Sequence, residues 1–311
     1  MENLSKTKIW LSQMRANFLL LAVVLVAIGL MFAAKYQPFE QFNFAHALLI
    51  LIGVISAHSS VNLFNEYFDY KTKIDFNTER TPFSGGSGML TAGYTNYKSV
   101  LITAISTLIV SITIGIYFAI VSNWIILLIA TIGAFAIIFY TNFLAKIFLG
   151  ELFAGLTLGT LVVIGAYIAM TATPEMTLAN LVPQEVWLVS IPPGILTALL
   201  LLLNEFPDAK ADKEGGRNHL VIRLGKKNAA YLYSFGLFST FGIIILLPIL
   251  DIASPWLYLA LLPIPLAFKA GMSAIKHGDD TIKLIPSLGI NVLVVLSTDL
   301  LLAVSVLMEI I

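Results

Sequence analysis

A chain of 311 residues that is 58% hydrophobic and only 12% charged is not an ordinary water-soluble domain, which carries about 25% charged residues. Its formal net charge of +0 gives no pull toward nucleic acid, and the absence of cysteine excludes disulfides, thiolate metal centres and cysteine nucleophiles. Most of its surface must meet lipid, in keeping with a mean hydropathy of +0.90.

A membrane-spanning helix needs about 17–25 mostly apolar residues. Nine segments qualify in chain order: 18–34, 45–66, 100–121, 124–141, 147–170, 186–206, 229–250, 255–270 and 289–310. The first follows Lys6, Lys8 and Arg15 and exceeds a signal-peptide core of about 7–15 residues, so it reads as a span and not a cleaved leader. The fourth follows the third after a tight Ser122-Asn123 turn. The eighth is the weakest, with Pro263 and Pro265, which a membrane helix tolerates where neighbours satisfy the freed carbonyls. The expected fold class is all-α: a polytopic membrane protein of nine transmembrane helices, with residues 1–311 forming one membrane domain.

Basic residues test this count independently. Threading nine spans from a cytoplasmic N-terminus puts 17 of the 18 Lys and Arg on one side and only Lys35 on the other. One missed helix would scramble every later loop. The positive-inside rule then puts the N-terminus and both long polar loops in the cytoplasm, as expected for a multi-pass protein of the cell membrane.

The acidic residues gather at the cytoplasmic ends of the second and sixth spans. Asn65-Glu66-Tyr67-Phe68-Asp69 runs on through Lys71 and Lys73 to Asp75, and Asn204-Glu205-Phe206-Pro207-Asp208 runs on through Lys210 to Asp212 and Lys213. Asn-Glu-aromatic-X-Asp thus occurs twice, each time closing a span of the same direction, which points to a pseudo-two-fold pairing of the two ends. Asn65 and Asp69 are one helical turn apart and share a face, as do Asn204, Asp208 and Asp212 if the helix survives Pro207. Asp75 does not return to the face of Asp69, so the first helix is expected to end near Asp69 and Asp75 to reach back from a turn. Four converging aspartates raise one another's pKa and need a compensating cation. Carboxylate and amide oxygens without His or Cys suit Mg²⁺, which binds through one or two carboxylates plus substrate phosphates. Two such clusters suggest two Mg²⁺ ions bridging a diphosphate, each acting as Lewis acid and template. A solvated acidic loop is the bland reading of either motif alone, and the matched copies argue against it.

These paired motifs, Asn65-x3-Asp69-x5-Asp75 and Asn204-x3-Asp208-x3-Asp212, resemble the signature motifs of the UbiA superfamily of intramembrane prenyltransferases. The flanks extend the likeness: Arg80-Thr81-Pro82-Phe83-Ser84-Gly85-Gly86-Ser87-Gly88 after the first motif, Gly216-Arg217 and Val221-Ile222-Arg223-Leu224-Gly225 after the second. Arg15, Tyr140, Lys146 and Gly150-Glu151 also fall where that family has matching residues. The resemblance implies a helical bundle around a central cavity, with Mg²⁺ as cofactor and an isoprenyl diphosphate and an aromatic acceptor as partners, and with no obligate protein partner. It implies Asn65, Asp69, Asp75, Asn204, Asp208 and Asp212 as metal ligands, with Asp69, Asp208, Lys146 and Arg15 central to catalysis. Arg15, Lys73, Arg80, Tyr140, Lys146, Glu151, Lys213 and Arg217 would bind substrate. Glu66 stands where the family usually has Asp, and Asn218-His219 replaces the more usual Arg/Lys-Thr.

The implied chemistry is loss of diphosphate, an allylic cation, and attack by an electron-rich aromatic ring. The spacing of the first motif and the Thr-Pro-Phe-Ser-Gly-Gly loop look most like the menaquinone branch, whose acceptor is 1,4-dihydroxy-2-naphthoate. Hydroxybenzoate, haem, chlorophyll and archaeal glycerol-lipid branches stay open. A transporter is the rival class, but carriers place their sites near the bilayer midplane and these acids sit at one mouth. His58, about two turns before Asn65, is expected either on the same wall or as a packing residue. Asp299 and Asn291 inside the ninth span are candidates for function or for helix–helix bonding. Gly85–Gly88 reads as a turn or as a backbone cradle for phosphate.

Overall fold

A computed structural model describes residues 4–311, and every regular element among them is helical. In chain order the α-helices are α1 (Lys6–Gln13), α2 (Leu19–Tyr36), α3 (Phe44–Lys71), α4 (Ile74–Asn77), α5 (Tyr97–Val121), α6 (Ile125–Phe139), α7 (Gly150–Gly155) and α8 (Leu161–Thr171). They continue with α9 (Gln184–Val189), α10 (Ile191–Glu214), α11 (Leu220–Leu224), α12 (Lys226–Ile249), α13 (Ile264–His277) and α14 (Thr281–Ile310). A single π-turn, Leu156–Thr160, joins α7 to α8.

Among the described residues seven helices are long and apolar enough to cross a membrane: Ala16–Tyr36, Phe44–Lys71, Tyr97–Val121, Gly150–Thr171, Gln184–Glu214, Lys226–Ile249 and Thr281–Ile310. The chain is a multi-pass membrane protein. Of the two remaining expected spans, one is a shorter apolar helix and the other a bent pair that meets the standard together, which would make eight. The segment expected at 124–141 forms α6, whose 15 residues reach about 22 Å at 1.5 Å per residue, less than a hydrocarbon core of about 30 Å. The segment expected at 255–270 is a 3₁₀ stretch, Pro255–Leu261, followed by α13 at a bend of 41°. Pro263 sits at that bend, where its ring and missing N–H stop one helix and start the next.

Side-chain caps mark where the chain turns into helix. Asn43 Oδ1 accepts from the amides of Ala45 (3.0 Å) and His46 (3.1 Å) to start α3, Asn96 Oδ1 from Ser99 (2.9 Å) to start α5, and Asp280 Oδ1 from Lys283 (3.2 Å) to start α14. Glycine lets neighbouring helices approach closely. A Cβ on Gly159 would lie 2.6 Å from the Gly194 Cα, and one on Gly155 2.5 Å from the Gly194 carbonyl oxygen. The α7–α8 span and α10 therefore touch backbone to backbone, the small-residue packing that substitutes for a hydrophobic driving force in lipid.

At the end of the bundle away from the acidic motifs, Lys35 Nζ donates to Glu185 (2.7 Å) and Glu309 (2.5 Å), and the Tyr36 hydroxyl to Glu185 (2.6 Å). The basic residue that sequence set apart from the other 17 thus ties α2, α9 and the end of α14 together.

Candidate active site

The two acidic helix ends meet. The guanidinium of Arg217 donates to Asp69 and to Asn65 Oδ1 (3.0 Å) at the end of α3, and to Asp212 Oδ1 (2.8 Å) at the end of α10. One buried cation therefore bridges both motif copies. Burial works against its charge, but Asp69 and Asp212 outweigh it and hold the Arg217 pKa above its ordinary value. A second link comes from the loop after the first motif, whose Gly85 N–H donates to Asp208 Oδ2 of the second at 3.0 Å.

Local structure presents the acids differently in the two copies. α3 ends at Lys71, Lys73 takes a left-handed φ of 63°, and the single turn of α4 returns Asp75 to the site, as the spacing of the first motif predicts. α10 instead runs unbroken through Pro207 to Glu214, so Asn204, Asp208 and Asp212 occupy one helical face. The doubt that Pro207 cast on that face is resolved in favour of the continuous helix.

Asn65, Asp69, Asp75, Asn204, Asp208, Asp212, Arg15, Arg217 and Tyr140 all line one cavity of about 320 Å³. Its charged residues crowd one end. Beyond them the walls are Leu108, Ile112, Phe118, Ile129, Leu161 and Val162, reaching toward the opposite side of the bundle. His58 lies on the wall. Asp75, buried beside Asp69 and Glu66, is pushed up to about 8, with desolvation the first cause and the two neighbouring carboxylates the next. Arg15 is opposed by burial and raised by Glu66, Asp75 and Asp69. Burial raises the Tyr140 phenol.

These groups fit a hard divalent cation. Asn204 Oδ1 and Asp208 Oδ1 are buried oxygens without a hydrogen-bond partner, and oxygen donors of this kind are what Mg²⁺ selects. A Cβ on Gly86 would stand 2.8 Å from Asp75 Oδ1, so only glycine, here at φ 72°, leaves that carboxylate room.

Other expected residues lie outside the cavity lining. Lys73, Lys146 and Lys213 are exposed at the motif end. Arg80 bonds the Asp75 carbonyl (3.0 Å) and Thr91 (2.6 Å), bracing the loop. Glu151 is buried behind the wall, where it accepts from the Leu220 amide at 2.7 Å. Asp299 is buried with both oxygens unpartnered, and Asn291 accepts from the Tyr233 hydroxyl at 2.8 Å, so both belong to the α14 interior rather than to this site.

Sequence reasoning placed Glu66 off the ligand face without seeing its use. Its fully buried carboxylate accepts from Gln13 Nε2 (2.8 Å), Arg15 Nε (3.3 Å), the Ser87 amide (2.6 Å) and the Ser87 hydroxyl (2.7 Å). It pins the N-terminal segment and the glycine loop to α3. Being the acid inside a repeated Asn-Glu pair was the available signal.

Comparison with known proteins decides what this arrangement is. Residues 18–284 match the model of the UbiA prenyltransferase family, most of the chain. The chain belongs to the UbiA prenyltransferase family. It is an enzyme, a prenyltransferase. A 1,4-dihydroxy-2-naphthoate octaprenyltransferase of Bacillus subtilis (strain 168) is 29% identical over 259 residues, 82% of this chain and 78% of the relative. The apo structure of a UbiA homolog from Aeropyrum pernix K1 superposes with a TM-score of 0.72 at 15% identity, covering 95% of this chain and 98% of the other. A UbiA homolog from Archaeoglobus fulgidus bound to DMAPP and Mg²⁺ does so with a TM-score of 0.51 at 15% identity, covering 95% and 99%. Both structures share the UbiA fold with this chain.

Proposed function

We propose that this UbiA-family prenyltransferase moves the prenyl group of an isoprenyl diphosphate onto 1,4-dihydroxy-2-naphthoate, with Mg²⁺ as cofactor. The observation that carries the reading is the cavity itself: acids and arginines from both motifs at one end, an apolar slot at the other. A diphosphate with a hydrocarbon tail is complementary to both halves. The acceptor rests on the Bacillus subtilis relative, a 1,4-dihydroxy-2-naphthoate octaprenyltransferase.

Asn65, Asp69, Asp75, Asn204, Asp208 and Asp212 would hold the metal, which when bound supplies charge neutralisation and Lewis acidity at the phosphate oxygens. Arg15 and Arg217, already in the cavity wall, face the charge that develops on the leaving diphosphate, a preorganised field of the kind that dominates such reactions. In the transfer, the prenyl C–O bond breaks and its electron pair leaves with diphosphate. The ring carbon that bears the acceptor's carboxylate then bonds the prenyl carbon, and that carboxylate leaves as carbon dioxide, its C–C electron pair returning to the ring to recover aromaticity. The apolar walls exclude water that would quench the allylic cation. Lys73, Lys146 and Lys213, exposed at the motif end, draw the anionic substrate inward, and Arg80 and Glu151 act through the loop and helix they brace. The motif end faces the cytoplasm across the cell membrane.

Purified enzyme with Mg²⁺, a prenyl diphosphate, and either 1,4-dihydroxy-2-naphthoate or 4-hydroxybenzoate tests this. The expected result is diphosphate release with a prenylated naphthol. Product from hydroxybenzoate alone would refute the acceptor, and no transfer to any aromatic ring would refute the reaction class.

A further inference from the structure

Glu66 and Glu205 occupy the same place in the two motif copies, and their surroundings are opposite. Glu66 is saturated with donors. Glu205, 7% exposed, keeps a buried Oε2 with no hydrogen-bond partner. Beside it lie Glu151, 2% exposed with its own Oε2 outside any hydrogen bond, and His219, 1% exposed with each ring nitrogen facing a carboxylate. One ligand atom from each of the three lies within 4.8 Å of the others. Two buried carboxylates that face each other repel when ionised, and a cation bound between them and the imidazole would relieve that cost.

We propose that Glu151, Glu205 and His219 form a second metal site, for a divalent transition metal of the Zn²⁺ type, separate from the Mg²⁺–diphosphate site. His219 Nδ1 stands 3.4 Å from Glu205 Oε2. That matches the ligand–ligand edge of a tetrahedron with metal–ligand bonds of about 2.0–2.1 Å. The other ring nitrogen, Nε2, stands 3.2 Å from Asp212 Oδ2, giving the carboxylate–histidine–metal relay that fixes tautomer and ring orientation in metal sites. Glu151 is aimed in the same way: its Oε1 takes the Leu220 amide at 2.7 Å, leaving Oε2 for the metal. Three protein ligands leave a fourth position for water. An imidazole in the set selects against Mg²⁺ and toward zinc or its neighbours. The ion would clamp the start of α7, the end of α10 and the 215–219 turn, holding Asp212 in the wall of the main cavity. The site stands on its own residues and does not depend on the diphosphate reading.

Metal-depleted full-length enzyme is loaded with Zn²⁺ under excess Mg²⁺, and bound zinc is counted by mass spectrometry. The proposal expects about one zinc per chain in the wild type and in Asp75→Asn, and almost none in His219→Ala and Glu205→Gln. Asp212→Asn should weaken zinc binding about 10–100-fold, as loss of an outer-shell partner does. X-ray absorption of the wild type, which needs no variant, should show a mixed nitrogen and oxygen shell at about 2.0–2.1 Å. An oxygen-only shell, zinc kept in His219→Ala, or zinc lost in Asp75→Asn would overturn the proposal, the last by showing that zinc had merely entered the diphosphate site. No zinc in the wild type would overturn it outright.

Discussion

The two motif copies begin with the same letters, Asn-Glu, and end as different devices. The first copy breaks its helix after Lys71, swings Asp75 round on a separate turn, and spends Glu66 on fastening the loop that carries Gly85 and Ser87. The second keeps its helix through Pro207, lines three ligand candidates along one face, and sets Glu205 beside Glu151 and His219. One half is an adjustable clamp made of loop and turn. The other is a rigid comb. A repeat at the level of sequence sets where acids sit along the axis, and the residues outside the repeat set what each acid does.

Breaking either half at its central aspartate should have the largest effect. Asp69→Ala and Asp208→Ala are each expected to cut prenyl transfer by about 10³-fold or more, measured as diphosphate release from folded, detergent-purified protein. Equal losses would show that clamp and comb serve one site, whereas normal turnover in either variant would remove that half from the chemistry. Next comes the bridge between them. Arg217→Gln leaves Asp69 and Asp212 without their shared cation, and breaking a buried pair costs about 3–5 kcal/mol. Its melting temperature should therefore fall in chelator and recover part of the loss in Mg²⁺, since a metal replaces the missing charge.

The loop of the first copy allows a sharper contrast. Gly86→Ala drives a methyl against Asp75, while Gly93→Ala, at φ 77° with nothing within 4 Å, carries only the backbone penalty of about 1 kcal/mol. Activity should drop about tenfold or more in the former and stay within a factor of about 2 in the latter, on the scale of 1.36 kcal/mol per tenfold. The smallest effect is expected in the comb. Pro207→Ala should change turnover by less than about twofold, because the helix around it is already continuous and its face already aligned.

How much of this could be read beforehand divides along the same line. Helix content, the pairing of the two acidic ends and the set of cavity-lining acids follow from hydropathy, the asymmetry of Lys and Arg, and helical spacing, because these are local properties or simple sums over the chain. Two of the nine expected spans are less regular than apolar composition alone reveals: α6 is a turn or more short of the others, and Pro263 bends the eighth segment. The family resemblance marks Arg217 as a substrate-binding residue, and its bridging of both motifs depends on a fold that brings residues about 150 positions apart within hydrogen-bond range. His219 stood out only as a departure from the family pattern. Of its partners, Glu205 and Asp212 lie two turns apart on α10, but Glu151 comes from α7, which no spacing rule connects to them. Lys73, Lys146 and Lys213 illustrate the converse: a long cation close in sequence to an acid need not turn toward the cavity.

The measurement that bears most directly on a single site shared by two helix ends is Mn²⁺ binding with and without a non-reactive prenyl diphosphate analogue, followed by electron paramagnetic resonance. Wild-type protein should gain tightly bound Mn²⁺ when the analogue is added, and Asp69→Asn and Asp208→Asn should each lose that gain. Retention of the full analogue-dependent signal in either variant would mean that one helix end binds the diphosphate alone.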